Sequence, residues 1–166
     1  MPPLVLLPLL LGASAAFVAS CSASTDRRPR PVTTAADEER AVKASVTALN
    51  DAMTRRDLEA AMAVFEDGDG ILLVGSDKGE LFRGRSRVRG FLKELMGLPF
   101  TFSFETPDPV VQVNPGTAWL FADGAMVHTR ADGTSRRTPY RFSVSLVRQG
   151  KAWKWQLFHG SVPGAE

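Results

Sequence analysis

The sequence predicts an α+β domain in which three amphipathic helices precede a sheet of antiparallel strands. Between residues 34 and 96, apolar side chains recur every three or four positions, as on one face of a helix. From residue 100 onward they alternate with polar side chains between turn-forming residues, as in strands. Because such a sheet has to bury one face, and the helices are its only partners, we expect the sheet to lie over them.

The composition is that of one globular domain. The chain has 166 residues, of which 44% are hydrophobic and 23% charged, and its formal net charge is +2. These values exclude a disordered chain, a coiled coil and a protein with many membrane spans. An excess of two charges does not predict a nucleic-acid partner. The single cysteine, Cys21, excludes an internal disulfide.

The first 20 residues are typical of an export signal. They contain no charged side chain, and an apolar run over residues 4–11 is followed by small residues. The run is short for a membrane span and contains a proline. The residues Val18-Ala19-Ser20-Cys21 then resemble the bacterial lipobox, whose cysteine thiol takes a diacylglycerol and becomes the new N-terminus.

We therefore expect a signal peptide over residues 1–20, a lipidated Cys21 and a flexible tether over residues 21–33. Ser22 after the cysteine resembles outer-membrane lipoproteins, which predicts a place in the cell envelope, on the periplasmic side of the outer membrane. The membrane would then be a partner through the lipid on Cys21. Two alternatives stay open, namely secretion after cleavage near residues 13–15 and an uncleaved anchor.

Three helices are expected between the tether and residue 96. Thr34 and Asp37 stand at capping-box spacing, Asp57 is a suitable cap for a second helix, and a third spans about Ser86 to Met96. Their apolar stripes are Val42, Val46, Leu49 and Met53 in the first, Leu58, Met62 and Phe65 in the second, and Val88, Phe91, Leu92 and Leu95 in the third.

Strands occupy most of the remaining chain. A short apolar run over residues 71–74 predicts a buried strand, and residues 81–83 are a candidate return strand. Asp132-Gly133 predicts a hairpin with a type I′ turn, because both residues tolerate a positive φ. The alternating segments that predict the other strands are residues 100–105, 110–113, 117–129, 140–148 and 152–159.

The motifs at the strand ends occur in a characteristic order. They are Gly75, Phe82-Arg83-Gly84-Arg85, Ala118-Trp119, Arg141-x-Ser143, and finally Trp153 with Phe158-His159-Gly160-Ser161 five residues later. Together they resemble the nuclear transport factor 2-like superfamily, in its SnoaL-like branch, and the association domain of calcium/calmodulin-dependent kinase II. The resemblance implies a SnoaL-like domain over residues 34–163. It further implies a cone, with a curved antiparallel sheet wrapped over three helices, a pocket inside and dimerisation through the sheet.

Two residues are candidates for acid–base chemistry in that pocket. By the period of two, His159 shares a strand face with Trp153 and Trp155, and near neutral pH it can act as an acid, a base or a donor. The alternative is a structural histidine bonded to Ser161 or to backbone. Asp123 follows two aromatic residues of the same face, and in a cleft its pKa would be raised. The alternative is an acid at a strand bend.

Four further residues are candidates for ligand binding, namely Arg141, Trp119, Tyr140 and Trp155. The resemblance to the kinase association domain implies that Arg141 faces the pocket and holds a carboxylate, which suits the bidentate geometry of arginine. A solvent-facing Arg141 is the alternative. We expect His128, near a hairpin end, to be an exposed surface residue.

The sequence predicts neither a metal site nor a cofactor. The two histidines and the single cysteine lack the spacing of zinc ligands, and no phosphate loop or dinucleotide motif occurs. Ketosteroid isomerases of this superfamily carry a general-base Asp after the second helix, whereas residues 71–74 are all apolar here.

We therefore expect a lipoprotein that binds a small apolar or carboxylate-bearing ligand without turning it over. One alternative is an isomerase, cyclase or dehydratase of a small carbonyl compound, with His159 or Asp123 as base and Arg141 stabilising an enolate. The other is an assembly module that pairs through the outer sheet face, and a homodimer is expected.

Overall fold

Helix α1 (Ala35–Arg55) begins after Thr34, as the sequence predicts. The computed structural model describes residues 33–164, so the predicted signal peptide, Cys21 and almost all of the tether lie outside the described residues. The Thr34 hydroxyl accepts a hydrogen bond from the Asp37 amide at 3.1 Å, and the Asp37 carboxylate accepts one from the Thr34 amide. This reciprocal pair is the predicted capping box.

Two shorter helices follow α1. Helix α2 (Leu58–Met62) begins at Asp57, whose carboxylate accepts a hydrogen bond from the Ala60 amide. Helix α3 (Arg85–Met96) lies close to its predicted position. Arg56, which ends α1 in the left-handed conformation, donates to the carbonyl oxygens of Met96 and Leu98. The end of α1 is thereby held against the end of α3.

The seven strands form one curved, unclosed sheet, which confirms the predicted α+β class. The strand order is β2-β1-β7-β6-β5-β3, and β4 pairs with the other end of β5. Neighbouring strands are antiparallel except β1 and β7, which are parallel, so the expectation of a purely antiparallel sheet is wrong at that place. The strands are β1 (Leu72–Val74), β2 (Leu81–Arg83), β3 (Phe100–Glu105), β4 (Val110–Asn114), β5 (Thr117–Arg130), β6 (Ser135–Gln149) and β7 (Ala152–Ser161).

The hairpin between β5 and β6 is present, but its turn is not type I′. Within residues 33–164, Arg56 is the only non-glycine residue with a positive φ, so Asp132 does not take the left-handed conformation that a type I′ turn requires. Instead Gly133 alone has φ 82°, and the Arg130 amide bonds the Thr134 carbonyl oxygen. The Asp132 carboxylate accepts two hydrogen bonds from Thr134, which favours this longer turn.

Strand β7 contains an irregularity that changes which residues face the helices. Trp155 pairs with Leu146, whereas Leu157 pairs with Ser145, so Gln156 has no partner on β6. Such a bulge reverses the alternation of inner and outer side chains along a strand. Trp153 and Trp155 are buried before it, and Phe158 is buried after it.

Helix α1 crosses the concave face of the sheet and is attached to it by polar side chains. Asn50 donates to the Phe104 carbonyl oxygen and accepts from the Phe104 amide, each at 2.8 Å. These backbone groups lie on the edge of β3 that has no neighbouring strand. Asn50 therefore takes the place of a missing strand at that edge. Within the described residues, no helix is both long and apolar enough to cross a membrane.

Replacing Asn50 by Ala is expected to lower the free energy of unfolding by about 2–4 kcal/mol, because an amide and a carbonyl of Phe104 lose their partners together. Urea unfolding followed by tryptophan fluorescence measures this change. The control is Gln112→Ala on β4, where the exposed amide bonds only the neighbouring Val113 carbonyl, and a change within about 0.5 kcal/mol is expected. Equal changes in the free energy of unfolding for Asn50→Ala and Gln112→Ala would contradict the role of Asn50 in holding α1 on β3.

Candidate functional site

A cavity of about 170 Å³ lies between α1, α3 and the concave face of the sheet. Helix α1 contributes Leu49 and Met53 to its wall, and α3 contributes Phe91, Leu92 and Leu95. Most of the remaining wall is aromatic or aliphatic. A cavity of about 150 Å³ with such a lining is large enough to bind benzene, so this one has room for a single ring or a short chain.

The floor of the cavity is a group of stacked aromatic rings. Trp155 and Phe158 lie with their centroids 5.8 Å apart and their planes 3° from parallel. Phe104 lies 5.9 Å from Phe158, and both rings pack against Phe142, which lies behind them and does not line the cavity. The indole nitrogen of Trp155 donates to the Ser45 hydroxyl of α1, so the ring has a fixed orientation. The floor is therefore formed before any ligand binds.

Tyr140 provides a polar group at the edge of this floor. It is 5% exposed and stacks on Phe104 at 5.6 Å. Gly160 on β7 makes room for it, because a Cβ at that position would overlap the Tyr140 hydroxyl. Burial raises the pKa of Tyr140, and although a hydrogen bond with Ser76 opposes this shift, the nearby carboxylates add to it. Tyr140 therefore presents a neutral phenol to the cavity at neutral pH.

The turn between β1 and β2 forms one side of the cavity mouth. Ser76, Asp77 and Glu80 of this turn line the cavity. The Glu80 carboxylate accepts a hydrogen bond from the Asp77 amide at 3.0 Å, and the Glu80 carbonyl accepts one from Gly75 at 2.8 Å. We call Asp77 and Glu80 the acidic lip.

His128 on β5 lines another part of the wall. The ring of Phe100 meets it edge-on at 4.9 Å. Burial, and after it the charge of Arg136, lowers the pKa of His128, so its imidazole is neutral at pH 7. A second cavity of about 200 Å³ adjoins the first, because both are lined by Phe100 and His128. Its other lining residues are Arg130 and Arg136, which we call the basic rim.

Comparison with known protein families identifies the fold. Residues 42–165 match the SnoaL-like domain family. The chain belongs to this family. The match covers most of the folded part, and it confirms the resemblance that the strand-end motifs indicate. None of the curated proteins matches the chain.

Solved structures of the nuclear transport factor 2-like superfamily are similar to this SnoaL-like domain. A candidate dehydratase of that family from Streptomyces avermitilis has 19% identity and a TM-score of 0.69, over 80% of this chain and all of its own. A superfamily protein from Salmonella enterica serovar Typhimurium has 17% identity and a TM-score of 0.68, over 80% of this chain and 95% of its own.

A ketosteroid isomerase-like protein from Erwinia carotovora atroseptica is a third solved structure to which the domain is similar. It has 18% identity and a TM-score of 0.61, over 78% of this chain and 98% of its own. At these identities the likeness shows the fold of the SnoaL-like domain and leaves its chemistry to the residues of the site.

Two of the predicted ligand-binding residues line the cavity, and two do not. Tyr140 and Trp155 lie in its wall. Trp119 is 44% exposed on the outer face of the sheet, because Ala118 and Leu120 on either side of it point inward. Arg141 also lies on the outer face, as the inward direction of Tyr140 requires. The expected pocket positions of Trp119 and Arg141 are therefore wrong.

The predicted acid–base residues lie outside the cavity as well. Asp123 is exposed on the outer face, where its carboxylate accepts a hydrogen bond from Arg141 Nε at 3.0 Å. His159 is exposed too and lies opposite Ser143 of β6. It does not share a face with Trp155, because the unpaired Gln156 reverses the alternation between them. Their expected position inside a cleft is wrong.

Several residues at the cavity mouth are not among those that the sequence predicts for the site. His128 is half-buried in the wall and is not the exposed residue that was expected. The period of two along β5 would have found it, since Ala118, Leu120 and Ala122 point inward and the same phase leads to His128 and Arg130. The acidic lip lies in a turn, where no helix or strand periodicity predicts in which direction a side chain points.

Tyr140 is expected to ionise above pH 10.0, the ordinary pKa of tyrosine, because burial favours the neutral phenol. It is the only tyrosine in the chain, so the ultraviolet absorbance of tyrosinate reports it alone. The contribution of the neutral Tyr140 phenol to the free energy of unfolding is fully present below pH 10. It is lost as the pH rises through the raised pKa of Tyr140.

The unfolded chain in urea is the matched reference for this titration and should ionise near the ordinary pKa. Glu80→Gln removes one carboxylate that helps to raise the pKa of Tyr140. This substitution should therefore move the midpoint of the Tyr140 titration part of the way toward that of the unfolded chain. A midpoint at or below that of the unfolded chain would contradict the burial of the phenol.

Proposed function

We propose that the SnoaL-like domain binds a small, mainly apolar ligand in the cavity between α1, α3 and the sheet, without turning it over. The observation that carries this proposal is the aromatic floor of the cavity, in which the orientation of Trp155 is fixed by its bond to Ser45. A cavity that is formed before binding reduces the cost of ordering side chains around a ligand. Tyr140 offers one hydrogen bond to orient it.

The two titratable residues that the sequence predicts as bases lie outside the cavity. His159 and Asp123 are on the outer face and do not reach a molecule on the aromatic floor. The polar side chains that line the cavity are Ser76, Asp77, Glu80, His128 and Tyr140. An isomerase or dehydratase reaction in this domain would have to use those groups, and the alternative with His159 or Asp123 as base loses its support.

Toluene and ethylbenzene are suitable first probes, because each carries one ring of the size that the cavity accepts. At concentrations well above the dissociation constant, such a probe is expected to raise Tm by about 3 °C. Leu98→Trp places a larger side chain in the cavity wall and should abolish the rise. Differential scanning fluorimetry with a protein-only signal measures it.

The matched control for that substitution is Val162→Trp, which adds the same side chain at an exposed position outside the cavity. It should keep the full rise in Tm. Binding in this cavity is refuted if neither arene shifts the unaltered domain, or if Leu98→Trp and Val162→Trp respond alike.

We also propose that two copies of the domain pair through the outer sheet face. Val110, Trp119 and Phe121 are exposed there by 55%, 44% and 38%, and Val110 pairs with Phe121 in register. Asp123 and Arg141 lie beside them with opposite charges. In a symmetric dimer each patch meets its own copy, so Asp123 of one copy can pair with Arg141 of the other.

Phe121→Arg is expected to convert such a dimer to a monomer, since it puts two like charges at the centre of a symmetric contact. Sedimentation velocity at micromolar concentration measures the change. Leu81→Arg is the control, because Leu81 is 50% exposed on the distant edge strand β2. A monomeric unaltered protein, or a dimer that survives Phe121→Arg, would exclude this interface.

We further propose that the chain is exported and lipidated at Cys21, on the support of the apolar run and the lipobox-like residues before it. The cavity would then lie in the cell envelope, tethered to a membrane. Cys21→Ser should move the protein from the membrane fraction to the soluble fraction of a bacterial host. Ser22→Ala is the control and should leave it with the membranes. Identical fractionation of Cys21→Ser and the unaltered chain would rule out lipidation.

A further inference from the structure

The concave face of the sheet changes from apolar to cationic toward the β5–β6 hairpin. The inward positions of β5 at this end are Met126, His128 and Arg130, two residues apart. Phe100 on β3 pairs in register with Arg130, and Arg136 on β6 pairs with His128. Successive inward residues stand about 6.6 Å apart along a strand, so the basic rim lies within reach of a small molecule on the aromatic floor.

The basic rim is available to bind an anion. Within residues 33–164, neither Arg130 nor Arg136 forms an ion pair, whereas the outer-face arginines next to them do. Arg137 is paired with Glu105, and Arg141 with Asp123. The two rim arginines face the second cavity instead. Two arginine residues beside one cavity suit a carboxylate, because their guanidinium groups can donate parallel hydrogen bonds to it.

The opposite side of the mouth has the opposite charge. Asp77 and Glu80 of the acidic lip line the first cavity, whereas Arg130 and Arg136 line only the second. A carboxylate at the mouth is therefore repelled from one side and attracted to the other. This asymmetry gives an anionic ligand one orientation, with its apolar part on the aromatic floor and its charge at the β5–β6 hairpin.

We propose that the ligand is an apolar monocarboxylic acid, with a ring or short chain in the cavity and its carboxylate on Arg130 and Arg136. This rests on the proposed binding function and names the class of ligand. The neutral imidazole of His128 lies between the two parts of the ligand and adds a polar contact.

The test compares phenyl-substituted acids, from phenylacetate to phenylvalerate, with the primary alcohols of the same chain lengths. Isothermal titration calorimetry on the folded protein at pH 7 measures both series. At one or more lengths the acid should bind about fivefold more tightly than its alcohol, as two partly exposed ion pairs allow. That advantage should shrink as salt is added.

Arg130→Gln and Arg136→Gln should each reduce the advantage of the acid and leave the binding of the alcohol unchanged. Arg137→Gln is the matched control, because Arg137 lies beside Arg136 in the sequence but is paired with Glu105 on the outer face. It should keep the full advantage of the acid.

The remaining outcomes separate this inference from the function on which it rests. If acids and alcohols bind equally at every length, the basic rim holds no carboxylate and the inference is wrong, whereas the cavity remains a binding site. If the corresponding amines bind more tightly than the acids, the acidic lip determines the ligand class and the inference is wrong again. If no member of either series binds, the proposed function fails together with it.

Discussion

The position of α1 on the concave face determines where a cavity can exist in this domain. Besides Asn50, two further residues attach the helix to the sheet. Glu38 accepts from Arg148 and from the Trp153 indole, and Ser45 accepts from the Trp155 indole. Attachments at three heights fix both the position and the rotation of a rigid helix. The sheet is then covered along α1, and the space toward α3 stays open as the cavity.

The polar attachments also explain why the aromatic floor keeps its shape. Buried polar groups that find partners restrict a core to one arrangement more strongly than apolar contacts do. The Trp155 ring has such a partner on α1, and its backbone amide and carbonyl bond the segment after α2 through Val64 and Glu66. Gln156, the bulge residue, also donates to the Glu66 carboxylate. The bulge therefore belongs to the same contact that orients the floor.

Sequence reasoning placed the elements well because each depends on local chemistry. The capping box at Thr34 and the stripe of α1 are read within a few residues, and both are confirmed. The site residues were placed less well. The bulge of β7 determines which of its side chains face the helices, and this bulge forms only when β7 pairs with β6. The sequence alone therefore predicts the wrong face for His159. Tyr140, on a regular stretch of β6, and Trp155, just before the bulge of β7, both line the cavity.

The two faces of the sheet carry different chemistry, and this limits what each can do. On the outer face the charges are already paired, as Asp123 and Arg141 are, and exposed aromatic residues lie beside them. Such a surface suits contact with another protein copy better than recognition of a small ion. On the inner face the cations at the rim have no partner within the described residues, and the rings behind them cannot supply one. A small amphipathic anion can contact both parts of the inner face at once. Its charge can pair with the arginines of the basic rim while its apolar part, joined to the charge at a fixed distance, packs on the aromatic floor.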